Sequence, residues 1–201
     1  MTKKDDIIMA SSSQARNAML SSVGLDFKSV PADIDEQAII DRLVSEKRDI
    51  PLITEQLAQA KAQHVSAQFP DALVIGSDQT LEFNGALLSK AQTLEEGKEK
   101  LKELRGKTHR LYSSVCVVHD GNTVFFDTDS ARLSMHNFDD EYLDAYIRKD
   151  EDALTSCVGG YKIEGAGAWL FDRVGGNHHT IMGMPLLPLL GFLRKTYKIL
   201  P

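Results

Sequence analysis

Three segments of the sequence combine residue types that could bind a phosphate, hold a cation or move a proton. In the first, Ser11, Ser12 and Ser13 lie between an apolar stretch and a predicted helix that carries Arg16 in its first turn. Free backbone N–H groups and the positive end of a helix attract phosphate, and a guanidinium can add a bidentate contact. The alternative is that Ser12 or Ser13 only caps the helix and that Arg16 is solvated.

The second segment carries a carboxylate directly after a short apolar strand. Residues 73–75 predict this strand, which runs into Gly76-Ser77-Asp78-Gln79, and Gly76 is expected to permit a bend at its end. Ligands of open α/β sheets gather at strand ends. Asp78 could hold a divalent cation or accept a proton from water, and the alternative is that it only forms a turn.

The third segment is rich in glycine and runs from Cys157 to Gly167. Glycines allow close approach of backbone, and Tyr161, Lys162 and Glu164 could line a pocket there. The order of residues is neither a P-loop nor a dinucleotide-binding fingerprint. The alternative is a bulged entry to a strand that needs positive φ.

The histidines and cysteines give weaker signals. His109 could act as a general base, but a histidine at the start of a strand is more often structural. Cys116 and Cys157 have no CxxC spacing and no histidine pair, so neither a disulfide framework nor a zinc site is expected. We expect both to be buried, reduced thiols.

The hydrophobic periodicity indicates the elements that must position these residues. Asn84-Gly85 and Asp120-Gly121-Asn122 predict two hairpins, and Pro51 is expected to separate two helices. Because helices and strands alternate without strict order, we predict an α/β fold in which helices flank a mixed central sheet, as a single domain over 1–201. Strands are expected at 7–10, 73–75, 109–119 and 123–135, and helices at 14–22, 39–44, 52–69, 94–105, 139–148 and 186–193.

Composition and charge exclude several functional classes. The formal net charge of −6 disfavours a DNA or RNA partner, so an anionic ligand must meet a local basic cluster. The apolar run at residues 7–10 is too short for a signal peptide. The run from Ile181 to Leu193 contains two prolines and falls short of a membrane span. We therefore expect a cytoplasmic protein with no nucleic-acid or membrane partner.

Taken together, these segments resemble the Maf family of nucleoside triphosphate pyrophosphatases over almost the whole chain. The resemblance implies a fold similar to that of inosine triphosphatases, with a cleft beside the central sheet. The motifs that carry it, in chain order, are Ala10-Ser11-Ser12-Ser13 with Arg16, Ile34-Asp35-Glu36, Leu57-Ala58-Gln59-Ala60-Lys61-Ala62, Ile75-Gly76-Ser77-Asp78-Gln79, Lys90, Gly106 with His109, and Gly183-Met184-Pro185-Leu186.

The resemblance implies hydrolysis of a nucleoside triphosphate between its α- and β-phosphates, with Mg²⁺ or Mn²⁺ as cofactor and a homodimer as the assembly. Asp78 matches the family's catalytic carboxylate, and Glu36 matches a second acidic residue that would share the metal. The remaining matches line the phosphate pocket of the family: Ser11, Ser13, Arg16, Lys61 and Lys90.

Two positions also look like the branch of the family that acts on 7-methyl-GTP. Gln79 follows the catalytic carboxylate, and Glu164 lies in the segment Tyr161-Lys162-Ile163-Glu164-Gly165, whereas the branch acting on dTTP and UTP typically has Thr and Gln there. Methylation at N7 makes the guanine base positive, which an anion at Glu164 would favour. We therefore expect both residues to select the base.

Four alternatives remain open at this point. The chain could be a dTTP and UTP pyrophosphatase, or a housekeeping enzyme similar to inosine triphosphatase. It could be a non-catalytic nucleotide-binding regulator of septum formation, because Gln14 and Ala15 replace the usual Pro and the usual Arg or Tyr of the family. It could also be an interaction module that uses the apolar residues 186–193.

Overall fold

The computed structural model describes residues 7–199 and has the mixed α/β architecture expected from the sequence. Helices flank a central mixed sheet. Among the described residues, the strands are β1 (Ile7–Met9), β2 (Lys28–Ser29), β3 (Leu73–Phe83), β4 (Ala86–Leu88), β5 (Thr108–His119), β6 (Asn122–Met135) and β7 (Phe171–Gly175).

The strand order of the sheet is β2-β1-β3-β5-β6-β7, with β4 paired to β3. β1 runs parallel to both β2 and β3, whereas the β3–β4 and β6–β7 pairs are antiparallel. The prediction of a mixed sheet is therefore confirmed. Because Ile7–Met9 pairs in parallel with Leu73–Ile75, the residues that follow these two stretches lie at the same end of the parallel pair.

The helices largely follow the predicted spans. A short 3₁₀ helix covers Ala166–Leu170, and a π-helical turn at Leu193–Tyr197 extends the last helix. The α-helices are α1 (Gln14–Ser22), α2 (Glu36–Ser45), α3 (Ile50–Ser66), α4 (Leu94–Leu104), α5 (Asp140–Ile147), α6 (Ala153–Ser156), α7 (His178–Ile181) and α8 (Leu186–Phe192).

The chain folds into two compact units, and β3, β5 and β6 each contribute residues to both. Unit 1 comprises the described residues up to Gln79, then Ser113–Asp129, and the described residues from Gly183 onward. Unit 2 comprises Thr80–Tyr112 and Ser130–Met182. The single domain over 1–201 stays a prediction, and its first six and last two residues lie outside the described range.

The core of unit 1 forms where small residues of α3 pack on the strands. Ala58, Ala62 and Val65 of α3 are fully buried together with Ile8 and Val74. Small side chains on one helix face let its backbone approach the sheet closely. Full burial of an aliphatic side chain such as Val65 stabilises the fold by about 1.5–3 kcal/mol.

The core of unit 2 consists of larger side chains. Leu101 and Leu104 of α4, Leu133 of β6 and Leu143 of α5 are fully buried in one cluster. Gly97 of α4 lies against Leu154, because a Cβ there would come 2.7 Å from the Leu154 Cβ. The core of unit 2 is therefore rich in leucine, with one close helix contact at Gly97.

The prediction that a strand ends before Asp78 is wrong. β3 continues through Asp78 to Phe83, so the carboxylate lies within an 11-residue strand. Gly76 has no positive φ, and a Cβ there would lie 2.2 Å from the Ala58 carbonyl oxygen and 2.7 Å from the Ala62 nitrogen. The glycine is needed because α3 packs directly on β3, and it does not form a bend.

Two smaller predictions concern breaks in the chain. Pro51 does not separate two helices, because it lies in the first turn of α3, where its missing N–H costs no hydrogen bond. The two hairpins are confirmed, with positive φ at Asn84 and Gly85 and again at Asp120 and Gly121. Within residues 7–199, no helix is long and apolar enough to cross a membrane.

Candidate active site

The loop between β1 and α1 and the first turn of α1 carry three of the predicted phosphate ligands of unit 1. Ser13 caps α1, where its Oγ accepts a long 3.5 Å hydrogen bond from the backbone N–H of Arg16. The backbone N–H of Ser13 in turn donates to Ser11 Oγ at 3.1 Å. The capping role considered for Ser13 is confirmed, but Arg16 is not solvated, because only 8% of its surface is exposed.

Lys61 lies in α3 and joins the two predicted acidic residues. Its Nζ is 2.6 Å from Asp78 Oδ1 and 3.0 Å from Glu36 Oε1. The side chains of Lys61 and Asp78 are each 10% exposed, whereas that of Glu36 is 48% exposed. One ammonium thus holds a buried carboxylate of β3 and a more exposed carboxylate from the first turn of α2.

Arg16 lies in the electrostatic field of the same carboxylates. Burial lowers the pKa of the Arg16 guanidinium below its ordinary value, and the charges of Asp78 and Glu36 oppose this shift. Guanidinium remains protonated in proteins. Unit 1 therefore brings together two cationic and two anionic side chains that the sequence placed in four different elements.

Asp78 and Glu36 provide two carboxylates, which are ligands that a divalent cation prefers. Mg²⁺ is usually held by one or two carboxylates and by substrate phosphates, with water completing the octahedron. Among residues 7–199, no group of three or more His, Cys, Asp or Glu side chains could form a cage by itself. Two carboxylates beside cationic side chains suit a metal that arrives with a polyphosphate.

Gln79 follows Asp78 in β3 and contacts a different element. Its Nε2 donates to Ser113 Oγ of β5 at 3.1 Å, and the side chain is half-buried. This hydrogen bond fixes the amide orientation. Gln79 thus belongs to unit 1 with Asp78, and Ser113 of the neighbouring strand is one of its partners.

Lys90 and Glu164, the other two predicted ligands, belong to unit 2 and are both exposed. Their charges act on one thiol. Burial is the main cause that raises the pKa of Cys157, and the charge of Glu164 raises it further. A hydrogen bond from Ser156 and the charges of Lys162 and Lys90 lower it. Lys90 and Glu164 therefore share the neighbourhood of Cys157 within unit 2.

Ion pairs hold the glycine-rich segment, and both features of the bulged-entry alternative also occur. Gly160 has a φ of +73°, and the β6–β7 pairing shifts register where Met135 pairs with Phe171, the first residue of β7. Lys162 Nζ lies 3.0 Å from Asp150 Oδ1 and 2.9 Å from Asp152 Oδ2. The hydrogen bond that Lys162 donates to Asp152 is the main cause that raises the pKa of Lys162 above its ordinary value. Lys162 therefore anchors the segment, while Glu164, two residues further on, stays exposed.

The cysteines and His109 have structural surroundings. Both cysteines are free thiols, Cys116 buried and Cys157 only half-buried. His109 is buried, and its Nε2 lies 2.6 Å from the hydroxyl of Tyr161. Its Nδ1 has no hydrogen-bond partner among the described residues. Burial lowers the pKa of His109 to about 4, which keeps the ring neutral near pH 7.

Sequence reasoning did not assign a role to Ser77 or to Gly183. Ser77 Oγ donates to the carbonyl oxygen of Gly183 at 3.0 Å, and Arg16 Nε donates to the same oxygen at 2.9 Å. Both residues lie inside motifs quoted above, but nothing in a linear pattern links positions 16, 77 and 183. A covariation signal among homologues is the kind of information that could have linked them.

Comparison with known proteins identifies the family of the chain. The family model described as Maf-like protein matches residues 6–196. A protein of Rhodopseudomonas palustris (strain HaA2) named nucleoside triphosphate pyrophosphatase is 43% identical over 189 residues, covering 94% of this chain and 92% of that protein. One of the same name from Bradyrhizobium diazoefficiens is 44% identical over 192 residues, covering 95% and 94%.

Among solved structures, the Ham1 protein of Staphylococcus aureus matches with a TM-score of 0.40 and 16% identity, covering 65% of this chain and 71% of that one. The family match is much more extensive, since it spans nearly all described residues and every motif of the charged cluster. The chain therefore belongs to the Maf family.

Proposed function

We propose that this protein hydrolyses nucleoside triphosphates to a nucleoside monophosphate and pyrophosphate. The observation that carries the proposal is the Lys61 bridge between Asp78 and Glu36, with Arg16 in the same field, in a chain whose relatives are named nucleoside triphosphate pyrophosphatases. A polyphosphate and its cation need basic groups for the oxygens and carboxylates for the metal. The cluster supplies both.

In the proposed reaction, Asp78 accepts a proton from the water that attacks the α-phosphorus. The new bond joins that water oxygen to phosphorus, while the bond from the α-phosphorus to the bridging oxygen breaks and pyrophosphate leaves. Arg16 and Lys61 offset the negative charge of the phosphate oxygens. The free N–H groups at the start of α1, next to Ser11 and Ser13, add a further anion contact.

The proposed cofactor is Mg²⁺ or Mn²⁺ held by Asp78 and Glu36. When bound, such a cation offsets phosphate charge and polarises the bond to be cleaved. Lys61 then has a second role, because its ammonium already holds both carboxylates at one point. Because the ammonium contacts one oxygen of each carboxylate, a cation would use the other oxygens or displace the ammonium toward the phosphates.

Within this activity, we propose 7-methyl-GTP as the preferred substrate and Glu164 as the residue that favours its cationic base. The Glu164 carboxylate is exposed and has no hydrogen bond or ion pair within residues 7–199, and the nearby Lys162 is paired with Asp150 and Asp152. An exposed charge pair is worth about 1 kcal/mol, or about fivefold in affinity. Gln79 and Lys90 are proposed, from the family resemblance, to contact the base and a phosphate.

The experiment is pyrophosphate release from 7-methyl-GTP, dTTP, UTP, CTP, GTP and ITP with Mg²⁺ or Mn²⁺. We expect the highest kcat/KM with 7-methyl-GTP, and in Glu164→Gln a loss of about fivefold for this substrate with little change for GTP. Glu141→Gln, which removes an exposed carboxylate of α5, is the matched control. A preference for dTTP and UTP would contradict this proposal and favour the dTTP and UTP pyrophosphatase. A preference for ITP would favour the enzyme similar to inosine triphosphatase.

We also propose a cytoplasmic location, a free nucleotide as the partner, and a homodimer. Nucleotide binding in calorimetry without any product would favour the non-catalytic regulator, for which Gln14 and Ala15 are the sequence argument. Absence of nucleotide binding would leave only an interaction module. Sedimentation analysis of the purified chain tests the dimer.

A further inference from the structure

The carbonyl oxygen of Gly183 accepts two hydrogen bonds from groups that are distant in sequence. Ser77 Oγ donates at 3.0 Å and Arg16 Nε donates at 2.9 Å. A carbonyl oxygen has two lone pairs, so both bonds can form at once. All three residues belong to unit 1.

This arrangement fixes one edge of the Arg16 guanidinium. The Nε–H is used by Gly183, and Nη1 makes only a long 3.5 Å contact with Ser11 Oγ. Within residues 7–199, Nη2 donates no hydrogen bond to the protein, although the side chain is more than nine-tenths buried. The two terminal nitrogens therefore remain available for a bidentate contact with phosphate oxygens.

Glycine is required at position 183 for two reasons. Its φ of +111° is one that residues with a side chain rarely adopt, and a Cβ there would lie 3.3 Å from Arg16 Nε. The carbonyl thus stands beside the guanidinium without a side chain between them. Its position depends on the remaining donor, which is the fully buried hydroxyl of Ser77.

We infer that Ser77 is a positioning residue that acts through the Gly183 carbonyl to hold the Arg16 guanidinium for a phosphate group. The inference rests on the proposed function, because it assigns Arg16 to the polyphosphate of the substrate. Ser77 and Asp78 are neighbours in β3. The strand therefore carries the carboxylate at Asp78 and, through the bond from Ser77 to Gly183, also positions the guanidinium.

The test is a double-mutant cycle read by binding of inorganic tripolyphosphate in calorimetry, which does not require turnover. We expect Ser77→Ala to weaken binding about fivefold, as loss of one oriented hydrogen bond does. In an Arg16→Lys background, which removes the Nε donor, Ser77→Ala should change binding by less than about twofold. Ser114→Ala is the matched control, because Ser114 is equally buried in unit 1 and loses one hydrogen bond, to Thr128.

The inference is overturned if Ser77→Ala behaves like Ser114→Ala, or if the effects of Ser77→Ala and Arg16→Lys multiply in the double variant. It is also overturned if the wild type does not bind tripolyphosphate. If Ser77→Ala does not fold, Ser77→Cys keeps a weak donor of similar size and should weaken binding about twofold. Binding without release of pyrophosphate from any nucleotide would refute the proposed function alone.

Discussion

Lys61 is the residue on which the charge balance of the cluster depends. Asp78 and Glu36 contribute two negative charges, and Lys61 and Arg16 contribute two positive charges, so the four side chains are neutral together. Asp78 is buried, and within residues 7–199 its one ion pair is with this ammonium. Loss of one partner from a buried ion pair is costly because the other charge stays in a poor solvent.

We predict that Lys61→Met lowers the free energy of unfolding by about 3–5 kcal/mol, because it leaves the buried Asp78 without its ion-pair partner beside Glu36. Urea unfolding followed by circular dichroism measures this loss. The double variant Lys61→Met with Asp78→Asn should recover part of it, since the buried negative charge is then gone. A loss below 1 kcal/mol for Lys61→Met would show that the pair is well solvated.

A second prediction concerns His109 in unit 2, whose pKa burial lowers to about 4. Between the ordinary value near 6.5 and about 4, the unfolded chain binds a proton that the folded chain does not, so stability decreases as the pH falls through this window. The decrease from this one residue is about 3 kcal/mol. In His109→Phe the free energy of unfolding should fall less steeply over the same window, and an unchanged slope would contradict the burial argument.

At the scale of elements, the contact between α3 and β3 sets the geometry of the cluster. Lys61 is on the helix, Asp78 is on the strand, and Gly76 lies where the two backbones meet. The sequence predicted both elements and placed Asp78 after an apolar strand. It could not predict that the strand continues, because a glycine before a polar residue is typical both of a turn and of a close helix–strand contact.

We predict that Gly76→Ala lowers the free energy of unfolding by about 3 kcal/mol and reduces kcat/KM at least tenfold, because the new Cβ forces α3 away from β3. Gly191→Ala is the matched control, since it lies in α8 with nothing within 4 Å of its Cβ position. That change should leave activity intact and raise stability by up to about 1 kcal/mol. Equal effects of the two substitutions would refute the close-packing argument.

For the whole molecule, the net charge of −6 does not predict the local charge of the site, which contains two basic and two acidic side chains. The site residues were identified from the resemblance, because seven ordered motifs are more specific than any one of them. The contacts of these residues could not be predicted. The Lys61 bridge and the Gly183 carbonyl join positions that are far apart in sequence, and no helix or strand periodicity relates them. The bounds of most helices were predicted more closely, because caps such as Ser13 and Thr93 are local signals.

Metal removal should separate activity from folding. Because the proposed cation has only Asp78 and Glu36 as protein ligands, we expect the fold to be stable without it. We predict that EDTA abolishes pyrophosphate release and that added Mg²⁺ or Mn²⁺ restores it, while the melting temperature changes by no more than about 2 °C. A large fall in melting temperature on chelation would show that a structural metal exists.

The most direct measurement of the central claim is pyrophosphate release by the wild type and by Asp78→Asn, under saturating Mg²⁺ and at equal folded fractions. We predict a fall in kcat of about 100-fold or more, because the amide can neither accept the proton from water nor hold a cation as a carboxylate does. Asp127→Asn, which changes a half-buried carboxylate of β6, should stay within about twofold of the wild type. Full activity in Asp78→Asn, or no pyrophosphate from the wild type with any nucleoside triphosphate, would contradict the account.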